Sequence, residues 1–257
     1  MFCKKGFNYF CNFNLKMQEN DWYKDWFNTP YYHTLYKDRD YSDAQLFIKN
    51  ITSHLKIPKN GNILDLPCGK GRHSIYLNSL GYKVTGGDIS ENSINFAKQY
   101  ENEKLDFIIH DMRLPLKNKY DGVFNIFTSF GYFDDDNEDL LILKNIKNAL
   151  RPNGVFVFDF LNVIKLKENL VESEIKIVDN ISFNIKREIS KGFIIKTISF
   201  IDGGKNYTYK EKVKFLDKKK IEYYFEKNGF KILDYFGDYH LNQFNEQNSD
   251  RLIIVAK

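Results

Sequence analysis

The sequence predicts an α/β fold: a doubly wound, mostly parallel seven-stranded sheet with an antiparallel β insert after the fifth strand. Three observations predict it. Short apolar runs alternate with helical periodicities between residues 63 and 160, three of those runs lead into an aspartate, and the alternation stops after Asn162. Strands that are apolar on both sides belong to a parallel sheet covered on both faces, and right-handed crossovers make that sheet doubly wound. Ligands of such sheets bind at the carboxyl ends of the strands.

Residues 1–16, MFCKKGFNYFCNFNLK, contain no acid and lack the apolar stretch and cleavage site of a secretory signal, so they read as an unstructured extension outside the fold. Residues 17–60 form an aromatic lid and a helix. The aromatics of DWYKDWFNTPYYHTLYKDRDY need a surface to lie against. Ser42 and Gln45 have capping-box spacing, and Phe47, Ile51 and Leu55 recur with helical period until Pro58. The core spans residues 61–162, with strands at 63–66, 82–87, 105–110, 122–127 and 155–160 and helices at 71–80, 91–100 and 138–150. Residues 163–216 are an antiparallel insert, with alternation at Ile181, Phe183 and Ile185 and at Phe193, Ile195 and Thr197, and with Gly203-Gly204 as a hairpin turn. Over residues 217–257, Asp217 caps a helix that ends at Gly229, and FKILDYFGDYH and RLIIVAK close the core as a hairpin.

Composition excludes several classes. The 257 residues are 42% hydrophobic and 28% charged, with no apolar run near the roughly 18 residues a membrane helix needs. The net charge of +4 is carried mostly by Lys, so phosphate recognition and nucleic acid are not implied. Cys3, Cys11 and Cys68 have neither disulfide nor zinc spacing, which points to no metal and to the reducing cytoplasm.

The loop Asp65-Leu66-Pro67-Cys68-Gly69-Lys70-Gly71 joins a strand to a helix, and its glycines let a ligand approach the backbone at a helix N-terminus. Ser74 stands where a dinucleotide fingerprint has its third glycine, and no Gly-Lys-Ser/Thr phosphate loop follows. Asp88 and Asp111 end the next two strands at equal spacing. Singly, each acid reads as a cap or turn former. Together, three acids beside a glycine loop suit a neutral or cationic nucleoside and repel a pyrophosphate.

The motifs ILDLPCGKGRHS, VTGGDIS, HDMRLPL, YDGVFNIFTSFGYF and LRPNGVFVFDFLN give the chain, over about residues 22–257, a sequence that resembles the class I S-adenosylmethionine-dependent methyltransferases of Rossmann-like fold. Within them it is most similar to small-molecule enzymes of the amino-sugar N-methyltransferase kind, although Asp159-Phe160-Leu161-Asn162 replaces their acidic-aromatic segment. The resemblance implies S-adenosylmethionine as cofactor. It implies that Gly69 and Gly71 face its methionine and ribose parts, Asp65 orients its amino end and Asp88 holds the ribose hydroxyls. Asp111 accepts from the adenine amino group, the Met112 backbone meets the ring, Phe127 flanks the methionine, and Tyr36 or Arg39 closes over the carboxylate. Tyr132, Asp159 and His240 are the candidate bases or acceptor-orienting groups, with Tyr31 and Tyr32 as lid residues. Each has a plainer reading, as core, strand-end turn and surface residue respectively. Cys68 lies in the cofactor loop, which is the wrong place for a cytosine-methyltransferase nucleophile. The function expected is methyl transfer to a small-molecule acceptor, with an amine as candidate. The alternatives are RNA or protein methylation, or a non-catalytic cofactor-binding module. A homodimer through the insert is the expected assembly.

Overall fold

Strands apolar on both sides need cover on both faces, and the computed structural model, which describes residues 21–37 and 41–257, supplies it with helices. Three helices come first: α1 (Trp22–Phe27), α2 (Pro30–Leu35) and α3 (Tyr41–Leu55). The next strands and helices alternate as β1 (Asn62–Asp65), α4 (Arg72–Ser79), β2 (Lys83–Asp88), α5 (Glu91–Ala97), β3 (Leu105–Ile109), β4 (Tyr120–Asn125), α6 (Asp136–Ala149) and β5 (Leu150–Leu161). After the insert come α8 (Lys218–Lys227), β10 (Ile232–Phe236) and β11 (Arg251–Ala256). The seven core strands are ordered β10-β11-β5-β4-β1-β2-β3, with β1 to β5 parallel and β11 antiparallel to both β5 and β10. Strand order reverses between β1 and β4, which opens a crevice there at the carboxyl edge.

Alternate side chains of these strands enter different hydrophobic layers. Leu64, Phe156, Phe158 and Phe160 pack under α6 and α8 with Ile142, Ile146 and Phe225. Ile63, Val155 and Val157 pack on the other side with Phe47, Ile51, Leu77 and Ile94. Each fully buried Phe or Ile contributes roughly 1.5–3 kcal/mol. One expectation is corrected: α3 is already helical at Tyr41, so Ser42 lies inside its first turn and is not its cap. Asp217 does cap α8, its Oδ1 accepting the Lys220 N–H at 2.8 Å.

The insert opens with the short helix α7 (Val163–Glu168), followed by β6 (Ser173–Val178), β7 (Ile181–Ser190), β8 (Phe193–Asp202) and β9 (Lys205–Lys214) in one antiparallel sheet of that order. Gly203 and Gly204, with φ of +54° and +74°, make the predicted β8–β9 turn. Phe183, Ile185, Ile198 and Phe200 bury one face against Trp26 of α1 and Leu35 of α2. The aromatic lid therefore rests on the insert. At its far end Lys214, almost fully buried, lies 2.7 Å from Asp136 and 2.6 Å from Asp139 in the first turn of α6, and its N–H donates to the Gly131 carbonyl at 2.7 Å. The insert is thus tied to the loop that follows β4. Residues 1–16 and Arg39 lie outside the described residues. No helix among the described residues is long and apolar enough to cross a membrane.

Candidate cofactor and acceptor site

The crevice at the β1/β4 switch point opens into a cavity of about 380 Å³. Its floor is the loop after β1. The Cys68 N–H donates to the Gly87 carbonyl at 2.8 Å and the Gly69 N–H to Asp88 Oδ2 at 2.7 Å, which fixes the loop to β2. Gly69 has φ +56° and a Cβ there would meet nothing within 4 Å, so the loop presents bare backbone to the cavity. Gly71 has a different reason for being glycine. At φ +82° it caps α4, and a Cβ would come within 2.6 Å of the Phe107 ring.

The three strand-end acids stand in three different states. Asp88 lines the cavity and accepts the N–H groups of Gly69 and Ser90, while burial raises its pKa. Asp65 lies behind the loop and is fully buried. Its Oδ2 accepts the Ser74 hydroxyl at 2.6 Å and its Oδ1 has no partner. Burial, reinforced by the neighbouring Asp88 charge and opposed by the Ser74 hydrogen bond, pushes the Asp65 carboxyl up to about 7. Asp111 lines the cavity too, but Arg113 grips both of its oxygens at 2.6–3.1 Å and continues to Glu138 at 2.8 Å. Burial alone would raise Asp111, and the Arg113 bonds outweigh it and hold the carboxyl below the usual range. Asp111 therefore reaches the cavity already paired. Met112 lies beside it and Ile89 follows Asp88 on the same wall.

Lid and β4 loop supply the aromatic lining. Tyr23, Phe27, Tyr32 and Tyr36 from α1, α2 and the residue after it face Phe127, Tyr132 and Phe133. Tyr31 lies elsewhere, its hydroxyl donating to Asp202 at 2.7 Å. The Tyr36 ring lines the cavity while its hydroxyl donates to Glu211 Oε1 of β9 at 2.6 Å and meets Lys196 of β8. Trp26 Nε1 donates to the same Glu211 oxygen at 2.8 Å. The Tyr132 hydroxyl donates to the Thr128 carbonyl at 2.9 Å and its ring packs edge-on against Trp22.

Phe127 and Thr128, with φ of +64° and +60°, turn the chain through left-handed backbone where β4 ends. Asp159 holds that turn. It is buried at the end of β5, its Oδ2 accepts the Phe127 N–H at 2.8 Å and the Tyr239 hydroxyl at 3.3 Å, and its Oδ1 accepts Arg251 Nε at 2.7 Å. It lines a smaller pocket of about 200 Å³ with Tyr239 and not the main cavity. His240 is exposed, lines neither pocket, and donates its backbone N–H to Asp238 at 2.9 Å. Of the residues proposed from sequence, Tyr36, Gly69, Asp88, Asp111, Met112, Phe127 and Tyr132 meet in one cavity; Asp65 lies beneath it, Gly71 beside it, and Asp159 and His240 apart from it. Sequence reasoning missed Arg72, His73 and His110, all of which line the cavity. Arg72 and His73 directly follow the glycine loop and His110 directly precedes Asp111, so adjacency to the motifs was the available signal.

This site geometry on this strand order is that of a nucleoside-binding methyltransferase domain. Residues 57–229 match the family model described as a methyltransferase domain, and the chain belongs to that family. The Bacillus subtilis (strain 168) protein YqeM is 33% identical over 121 residues, which is 46% of this chain and 49% of YqeM; the chain thus spans about half the length of that relative. An S-adenosylmethionine-dependent methyltransferase from Clostridium acetobutylicum superposes with a TM-score of 0.76 at 22% identity, covering 88% of this chain and 95% of that one. The sugar N-methyltransferase KedS8 from Streptoalloteichus sp. superposes with a TM-score of 0.70 at 14% identity over 86% and 89%. The resemblance and the fold expected from sequence are thereby borne out. S-Adenosylmethionine is the cofactor of this family, and the residues present suit it: an open backbone cradle at Gly69, a carboxylate at Asp88 lining the cavity, and an unpartnered buried oxygen on Asp65.

Proposed function

We propose that the protein transfers the methyl group of S-adenosylmethionine to a small-molecule acceptor bearing an amine. The observation that carries this reading is one cavity lined both by the Gly69 loop and Asp88 and by the rings of Tyr32, Phe127 and Tyr132. A cavity of this size, lined by rings and a few placed polar groups, suits a ligand of drug-like dimensions better than a polymer. Aromatic faces also stabilise the positive charge that an amine, entering in its neutral nucleophilic form, gains on methylation before its proton is lost to solvent. The fold neighbour KedS8 is named a sugar N-methyltransferase, which supports an amine as the acceptor.

The cofactor supplies an electrophilic methyl group on a sulfonium. The chain supplies position and a dry environment. Asp88 would hold the ribose hydroxyls against β2, Asp65 would attract the ammonium end from beneath the loop, and Ile89 and Met112 would flank the base. Phe127, fixed by Asp159 and Arg251, sets the wall past which the nucleophile approaches, and orientation of that kind can contribute many orders of magnitude in rate. Tyr132 and the lid rings exclude water from the transfer. Tyr132 orients the acceptor; Asp159 acts on it only through Phe127. Calorimetry with S-adenosylhomocysteine tests the cofactor half of the reading, and it fails if NADH binds instead. A screen of amine, hydroxyl and carboxylate acceptor pools with radiolabelled methyl donor tests the other half, which fails if label enters only the non-amine pools.

A further inference from the structure

The two edges of the insert sheet are guarded very differently. β9 presents Lys205, Lys210 and Lys212, its Glu211 bonds to Trp26 and Tyr36, and its end is tied to Gly131. Lysines and covering elements are the usual protection of a free edge. β6 has neither. Among the described residues it pairs only with β7, in regular register with no bulge and no proline, and its outward side chains are Ile175 and Ile177, exposed to 67% and 70%. Val171, just before it, is also exposed. An open, unbulged edge strand bearing isoleucines is a template for another strand.

We propose that β6 is a homodimer interface, in which it pairs antiparallel with β6 of a second copy across a two-fold axis at Ile175, joining the two inserts into one continuous sheet. The sequence of the strand selects both occupant and register. An in-plane antiparallel pairing must keep side chains on their own faces, so the centre of symmetry falls on a residue. Centred on Ile175, Glu174 of each copy stands opposite Lys176 of the other, twice over, and Ile175 meets itself. Centred on Glu174 or Lys176, like charges face each other, which is destabilising in a cross-strand pair. Glu174–Ile175–Lys176 is therefore self-complementary in one register. Inside one chain Glu174 pairs with Arg187, and Lys176 donates to the Leu35 carbonyl of α2 at 3.1 Å, so both charged side chains are already held on the face where the partner would meet them.

One strand pair buries little surface, so the dimer forms in the micromolar range, about 1–100 μM. Sedimentation velocity of the full chain across that range should show reversible dimerisation. Ile175→Lys, at a solvent-exposed position, should keep the melting temperature and S-adenosylhomocysteine binding unchanged while weakening the dimer at least about tenfold. Register is read by mild oxidation, with Cys3 and Cys11 changed to Ser. Ile175→Cys should cross-link two copies, because residues directly opposite in an antiparallel pair lie within disulfide reach, and Ile177→Cys should not. A chain that stays monomeric overturns the proposal, as does a dimer indifferent to Ile175→Lys or one cross-linked through Ile177→Cys instead. So does dimerisation that appears only once residues 1–20 are removed, since the edge would then be occupied by the chain's own N-terminal segment.

Discussion

The two sheets of this molecule bury themselves in different ways, and their sequences differ accordingly. In the core, β5 sends Phe156, Phe158 and Phe160 into one layer and Val155 and Val157 into the other, so the strand reads as an unbroken apolar run. In the insert, β7 buries Phe183 and Ile185 and exposes Ser182, Asn184 and Lys186, so it reads as an alternation. A strand covered on both faces has no freedom to vary, while a strand covered on one keeps half its side chains for other tasks. The core accordingly carries the cofactor loop and the acids at its strand ends. The insert carries the lid, through Trp26 and Leu35 on its inner face, and leaves an outer face and an edge to solvent.

Predictions follow the same division. The largest loss belongs to the core: Phe158→Ala, in a fully buried ring packed against Phe130, Phe160 and Phe225, should cost about 3–5 kcal/mol in denaturant unfolding. A loss below about 1 kcal/mol would break the comparison.

Asp65 gives the next effect, in the pH dependence. Its carboxyl is raised to about 7 when folded, so between its unfolded pKa near 4 and about 7 the native state binds the extra proton and stability falls as pH rises. The contribution is on the order of 2–4 kcal/mol, fully present below about pH 4 and lost above about pH 7. Asp65→Asn should flatten that part of the stability profile, and an unaltered slope between these limits would refute the assignment. Asp88→Ala should cost about 1–3 kcal/mol of S-adenosylhomocysteine affinity by calorimetry, with folding retained.

On the insert side, Glu211→Ala leaves Trp26 Nε1 and the Tyr36 hydroxyl without their shared acceptor. It should destabilise by about 1–2 kcal/mol and also weaken cofactor binding, because the lid rests on β9. Binding unchanged in that variant would separate lid from insert. The smallest effect is expected for Ile201→Thr on the exposed outer face, within about 0.5 kcal/mol by thermal unfolding.

What could be read from the sequence follows the range of the interactions. The apolar runs, Gly203-Gly204 and the Asp217 cap act over a few residues, and their marks were legible in order. So was the convergence of Asp88, Asp111 and Phe127, because strand ends in a doubly wound sheet meet at one edge. Pairings between distant residues left no periodic trace. Arg113 taking Asp111, Arg251 taking Asp159, and Phe107 filling the space at Gly71 depend on the folded packing, and they changed the readings of Asp111, Asp159 and Gly71. The support that the insert's inner face gives the lid, whose rings line the cavity, likewise joins residues far apart in the chain.

Both tryptophans of the chain, Trp22 and Trp26, lie in α1, one packed on Tyr132 of the cavity wall and the other on Tyr209 of the insert. Ultraviolet emission excited at the indole band therefore originates in one six-residue helix, with no background from the sheets. The protein carries its own optical gauge of lid position. Stopped-flow mixing without any label would follow the helix alone, and the order in which cofactor and acceptor enter could be timed from the colour of that light.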